Sequence, residues 1–409
     1  DKVDTNQGFT NLMPTSAARN LFISLSSTTA IQALVTMISL TVSVMAPTLA
    51  RELELDVTTI GIYASVSYVG AMIGSLLSGG FVQRYGPIRV SQSIMCICAL
   101  GLLICLGNHW VWFLISAFIC GLGYGPATPA SSQLLARHVP SQYLSLGFSV
   151  KQTGVPLGGI LAGLLVPWLL VWFHWQTSML VLALFVVALG AGLQKWRREF
   201  DTDLEPNANL FKGNFLSSLK LVLTHPKLKL IAIATFFFSA TQQCYIYFLV
   251  TFLETDLGWV TQRAGLALAI VGISAVVGRI LWGIVADATG RSNALIILLA
   301  FVMAGITILT GLVNSDWSTY EIFGLCACFG ATGAAWNGIY LAEITRTVED
   351  KDVSRATGGG LFITFFGVVV GPPTFGLIVT LTDSFQAAYF SLGAATLVIG
   401  VILLLSLTT

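Results

Sequence analysis

Long apolar runs broken by short polar turns make up nearly the whole chain. Twelve such runs stand at about 22–49, 58–82, 88–107, 110–136, 142–172, 176–194, 228–253, 262–286, 292–313, 319–345, 354–381 and 385–407. A run of about 18 or more apolar residues is long enough to cross a ~30 Å hydrocarbon core as a helix. Most breaks are a few residues long, such as Gly107-Asn108-His109, so consecutive helices run antiparallel. One break is different. Residues 195–227 are charged, carry Pro206, Asn207 and Asn209, and divide the runs six and six. Within it Phe211, Phe215, Leu216 and Leu219 beside Lys212 and Lys220 predict a short interfacial helix. The expected organisation is an all-α membrane protein of twelve transmembrane helices in two pseudo-symmetric six-helix halves. Its parts are a polar segment 1–21, a half at 22–194, a linker at 195–227 and a half at 228–409.

Composition agrees: 55% of residues are hydrophobic and 10% charged, against about 25% charge in soluble domains. The net charge of +1 says little; where the charges sit says more. With the N-terminus inside, Lys2, Arg19, Arg84, Arg89, Arg137, Lys195, Arg197, Arg198, Lys212, Lys220, Lys227, Lys229, Arg291, Arg346, Lys351 and Arg355 are cytoplasmic, while Arg51 and Arg263 are external. That bias predicts both termini in the cytoplasm. The expectation is a monomeric multi-pass protein of a bacterial inner membrane, with lipid around it and no nucleic-acid partner. The seven cysteines fall in or beside apolar runs, and no histidine lies near the Cys96/Cys98 or Cys326/Cys328 pairs. Small membrane residues explain them better than a metal site. His109, His138, His174 and His225 sit near helix ends, so no metal, cofactor or nucleophile–base pair is expected at membrane depth, and an enzyme is not expected.

Two basic residues remain, both deep. Lys151 lies about ten residues into the fifth run, roughly 15 Å from its start, and Arg279 stands about 12 Å inside the end of the eighth. Each costs several kcal/mol unless answered, and so marks a candidate site. No acid stands at their depth: Glu52, Glu54, Asp56, Glu254, Asp256, Asp316, Glu321 and Asp383 fall at external ends, and the others on the cytoplasmic side. An anionic substrate bound between the two cations answers both. Two plainer readings stand beside it. Arg279 bonds to backbone carbonyls or snorkels to the surface, and Lys151 is a neutral amine bonded to Gln152 or a hydroxyl. Further candidate liners are Gln32, Gln133, Gln242, Gln243, Tyr245, Trp336, Asn337 and Tyr340, each equally readable as interhelical bonding or packing. Arg84, Asp287, Arg291, Glu343, Arg346 and Arg355 are expected to form a cytoplasmic gate, with Asp287 near the start of span 11.

The halves repeat weakly. Gly79-Gly80-Phe81-Val82-Gln83-Arg84-Tyr85-Gly86 after the second run matches Gly283-Ile284-Val285-Ala286-Asp287-Ala288-Thr289-Gly290 after the eighth. With twelve spans and a long central loop, this turn resembles that of the major facilitator superfamily, Gly-x-x-x-Asp-Arg-x-Gly-Arg. The second copy keeps Gly283, Asp287, Gly290 and Arg291, with Ala288 for the arginine. The first keeps Gly79, Arg84 and Gly86, with Gln83 for the aspartate and Pro87 for the last arginine. The resemblance implies that spans 1, 4, 7 and 10 line a central cavity and that spans 5 and 8 meet between the halves. Arg279-x-x-x-Gly283-x-x-x-Asp287 is also similar to span 8 of monocarboxylate porters and oxalate–formate exchangers, in which the arginine contacts a carboxylate. This chain has Ala275 where the former place an aspartate and Thr364 where the latter place a lysine. The implied function is secondary transport of a small organic anion by alternating access, with protons as the family's commonest coupling ion. Anion exchange stays open. A drug exporter would want a deep acid, and a membrane sensor an output domain for which the linker has no room.

Overall fold

A computed structural model describes residues 15–45, 48, 49, 52, 59–107, 109–202, 204–208, 210 and 214–406. The expectations for residues 1–14, Arg51, Glu54, Asp56, Phe211 and Lys212 lie outside the described residues. Twelve helical spans are long and apolar enough to cross a membrane, from Ser16–Val44 to Phe385–Leu405, and among the described residues there is no strand. The first helix begins at Thr15, earlier than the apolar pattern implies. Its polar first turns extend beyond the apolar run, where Arg19 Nη1 donates to Glu199 Oε1 at 3.0 Å. The linker holds two helices, Gln194–Phe200 and Asn214–Thr224.

Buried apolar residues fall into two cores. One is drawn from spans 1–6. The other centres on spans 7–12 but also takes in Leu135, Val139, Leu144 and Phe148 from the ends of spans 4 and 5. The halves are thus packed together at the end carrying Arg137, Arg346 and the linker, hereafter the basic end. Ser149 of span 5 marks how tightly. It is fully buried, and a Cβ on either Gly283 of span 8 or Gly338 of span 10 would strike it. Only glycine lets three backbones meet there.

Three spans are broken rather than continuous. Span 4 breaks between Trp110–Tyr124 and Ala127–His138, at Gly125-Pro126. Span 5 breaks at Thr153, between Leu144–Gln152 and Gly154–Trp172. Span 10 breaks between Thr319–Gly333 and Asn337–Thr347. Broken helices at membrane depth free backbone groups, which persist only where protein or a water-filled cavity satisfies them. All three breaks border the deep cations.

Candidate functional site

Lys151 is fully buried. Its Nζ donates to Gln32 Oε1 at 2.7 Å, Thr128 Oγ1 at 2.9 Å and Gln152 Oε1 at 3.0 Å. Three oxygens match the three N–H bonds of an ammonium. Thr128 Oγ1 also donates to Gln32 Oε1 at 3.1 Å, closing the group on itself. The approach of span 5 to span 1 sets this up: a Cβ on Gly154 would meet Thr29 O and Gln32 Cβ. Drawn this close, the side chain at 151 reaches spans 1 and 4.

Arg279 is 4% exposed and turns to main-chain oxygens. Its Nε donates to Ala334 O at 3.0 Å, in the break of span 10, and its Nη1 donates to Gln152 O across the seam. Main-chain carbonyls for Arg279, and the Gln152 side chain and a hydroxyl for Lys151, are among the immediate contacts. Both cations meet at Gln152, the arginine on its carbonyl and the lysine on its side chain. Nη2 has no hydrogen-bonded partner among the described residues.

Arg279 lines a cavity of about 90 Å³ between the halves, smaller than the usual small-molecule site. It is the one charged residue among the described lining. Of the expected liners, Gln242, Gln243, Trp336 and Asn337 do line it. Trp336 Nε1 donates to Gln242 Oε1 at 3.1 Å, and Gln243 Nε2 donates to Tyr68 Oη at 3.1 Å. Tyr68 and Tyr124 close one wall against Phe365, at ring separations of 5.8 and 6.0 Å.

Five expected liners stand elsewhere. Lys151 and Gln32 lie behind Thr128 and Gln152, which do line the cavity. The picture of two cations flanking one anion is corrected accordingly: only the guanidinium faces the space. Tyr245, two residues past Gln243 and so about 200° around the helix, stacks on Phe329 at 3.6 Å in the core of the second half. Tyr340 is buried against Gly360. Gln133 sits at the basic end, where its Nε2 donates to Asp350 O and its Oε1 accepts from Ser354 N at 3.2 Å. It caps span 11 rather than lining a cavity. Among the described residues span 1 contributes no lining residue, contrary to the family expectation, while spans 2 and 11 contribute Tyr68, Leu361, Thr364, Phe365 and Val368. Tyr68, Tyr124, Thr128, Gln152, Ser239 and Thr364 were not singled out as liners from the sequence. A tyrosine or threonine inside an apolar run has no charge to betray it, and Gln152 was read only as a partner for Lys151.

The gate is narrower than expected and centres on Asp287. Its carboxylate accepts from Ser145 N at 3.0 Å and Leu146 N at 2.7 Å, capping span 5 from the opposite half, and from Arg346 Nη2 at 2.8 Å. Arg346 Nη1 donates to Ser145 Oγ and Ser292 Oγ at 3.0 and 2.9 Å. The partner of Asp287 is thus span 5, and the expectation of span 11 is corrected. The free N–H groups and positive end of a helix explain the choice. Gln83, at the matching position in the first half, donates to Lys351 O at 2.8 Å. An amide there supplies a donor where the carboxylate supplies two acceptors. The remaining gate candidates do not bond to Asp287: Glu343 pairs with Lys227 at the start of span 7 at 2.5 Å, Arg355 pairs with Asp352 at 2.7 Å and packs across the seam on Gly79, Arg84 lies over Tyr85, and Arg291 is exposed.

The model of the Major Facilitator Superfamily matches residues 28–342 and 231–409. The hexuronate transporter of Bacillus subtilis (strain 168) is 24% identical over 367 residues, 86% of each chain. The cis,cis-muconate transport protein of Acinetobacter baylyi has the same identity and coverage. The gallate transporter of Pseudomonas putida is 24% identical over 80% of this chain and 79% of its own. Among solved structures, the human organic anion transporter MFSD10 superposes with a TM-score of 0.72 at 13% identity, covering 96% of this chain and 100% of that one. The E. coli fucose:proton symporter superposes at 0.69 and 14%, over 93% and 98%. Twelve spans, two packed halves, the repeated turn at Gly79 and Gly283 and a family match along nearly the whole chain agree: the protein belongs to the Major Facilitator Superfamily.

Proposed function

We propose that this chain is a secondary transporter of a small organic anion, a monocarboxylate above all, working by alternating access. The observation that carries this is the single arginine lining a cavity between the halves with no carboxylate among its described lining. An anion there gains a charge-assisted hydrogen bond from Arg279. Amides from Gln242, Gln243 and Asn337 and hydroxyls from Thr128, Ser239 and Thr364 suit a hydroxylated body, and Tyr68, Tyr124, Trp336 and Phe365 suit a flat ring. A second carboxylate would meet no second cation, which disfavours dianions. Relatives named for gallate, benzoate and gentisate transport agree with this chemistry.

The inter-half bonds described above run from the basic end to the level of Tyr68 and Gln243. With the basic end in the cytoplasm of a bacterium, this conformation is closed inward and receives substrate from outside. Closure of the outer mouth over the anion and release of the Asp287 latch would then deliver it inward, the monomer sufficing. Proton symport is the coupling we favour. Anion exchange is the rival, supported by the engagement of the nearest acids, Asp287 and Glu343, in ion pairs.

A thermal-shift screen of purified protein against benzoate, gallate, glucuronate and cis,cis-muconate tests the substrate class. Stabilisation by at least one monocarboxylate, lost in Arg279→Ala, is expected. Stabilisation only by organic cations or neutral sugars would refute the reading.

A further inference from the structure

Arg279 owes its aim to a residue that does not touch the cavity. In an α-helix the carbonyl of Gln152 would accept from the N–H four residues on, and position 156 is proline, which has none. The neighbouring carbonyl is served normally, Leu157 N donating to Thr153 O at 3.1 Å. Gln152 O is left for a donor from outside the helix, and Arg279 Nη1 of the opposite half supplies it. The span-10 break offers Ala334 O to Nε in the same way. Two main-chain oxygens hold the guanidinium plane without cancelling its charge, and leave Nη2 without a hydrogen-bonded partner among the described residues of a side chain that lines the cavity.

The geometry points to Pro156 as a positioning residue: by vacating the Gln152 carbonyl it creates an inter-half bond that both orients Arg279 and holds the seam closed. This rests on the proposed role of Arg279 for its consequence in anion binding, but not for its consequence in the seam. An anion drawing the guanidinium toward the cavity weakens that bond, which links occupancy of the site to the seam between spans 5 and 8.

Pro156→Ala returns an N–H to position 156, where it competes with Arg279 for Gln152 O. In a cysteine-free background, spin labels at the exposed positions 89 and 291 report the separation of the halves at the basic end by electron–electron double resonance. Pro156→Ala, without substrate, should raise the open-to-closed ratio on the order of tenfold or more, the effect of one hydrogen bond to a charged group. Arg279→Ala should also raise it, and Pro156→Ala should add nothing in that background. A thermal melt confirms that each variant is folded, and Pro156→Gly, which also returns the N–H, should reproduce the alanine result. An unchanged ratio in Pro156→Ala, or a shift of equal size with Arg279 already removed, overturns the inference. The second result would make the proline a mere kink. Benzoate and gallate affinities on the same variants separate the two readings. A seam effect without any loss of affinity in Arg279→Ala would retain this inference and sink the proposed binding role.

Discussion

Asp287→Asn isolates the contact that closes the basic end. The carboxylate accepts two main-chain N–H bonds from the first turn of span 5 and one bond from Arg346. An asparagine keeps one oxygen and presents an N–H₂ to donors, so at least one partner loses its acceptor and the ion pair disappears. Hydrogen bonds to charged groups contribute about 1.5–3 kcal/mol each. The Arg346 side chain is 28% exposed and that of Asp287 6%, so solvent screening discounts the ion pair, and a net loss of about 2 kcal/mol is reasonable. The two main-chain bonds join opposite halves and exist only while the basic end is closed, whereas the ion pair with Arg346 lies within the second half and orients the carboxylate. The loss therefore falls on the conformational equilibrium, raising the open-to-closed ratio roughly thirtyfold at 1.4 kcal/mol per factor of ten. Distance distributions between labels at positions 89 and 291 would show it as growth of a longer component, and transport should fall more than substrate affinity. A change below about threefold, or a selective loss of affinity with unchanged distances, would refute the assignment of Asp287 to the latch.

Other perturbations separate the remaining parts of the site. Lys151→Met should lower the melting temperature, because Gln32, Thr128 and Gln152 lose a shared donor; a large loss of anion affinity at unchanged stability would instead return the lysine to the binding surface. Arg279→Lys keeps the charge but cannot serve Ala334 O, Gln152 O and an anion in one plane, so affinity measured by calorimetry should fall by about 1–3 kcal/mol; unchanged affinity would contradict this. Gln133→Leu removes a cap on span 11 and its bond to Asp350 O, and should weaken basic-end closure by about 1–2 kcal/mol, read by the same label pair, while leaving benzoate affinity at the open cavity unaltered. An affinity loss with no change in distances would place Gln133 in the cavity after all.

The spans were readable because lipid imposes one rule, continuous apolar length, and nearly every boundary followed it to within a few residues. The exception, the first helix, began with polar turns that carry no apolar signal. The depth of Lys151 and Arg279 was readable from residue counts, and so was the absence of acids beside them. Their direction was not. Rotation about a broken helix decides which way a side chain points, and the close approach at Gly154 that turns Lys151 toward Gln32 depends on a residue 122 positions away (154 minus 32). Asp287 was rightly placed at the basic end, but its partner is main chain, which leaves no mark in the sequence. The orphan carbonyl of Gln152 could have been inferred from Pro156 by the spacing of four alone. What Arg279 does with it required the two halves to be set side by side.

Isothermal titration of purified protein with benzoate and gallate, compared between wild type and Arg279→Ala, bears most directly on an anion site built around one guanidinium. Saturable binding of a monocarboxylate that weakens at least tenfold in the alanine variant, with the variant still folded, is the predicted result. Equal affinity in the two proteins would contradict it.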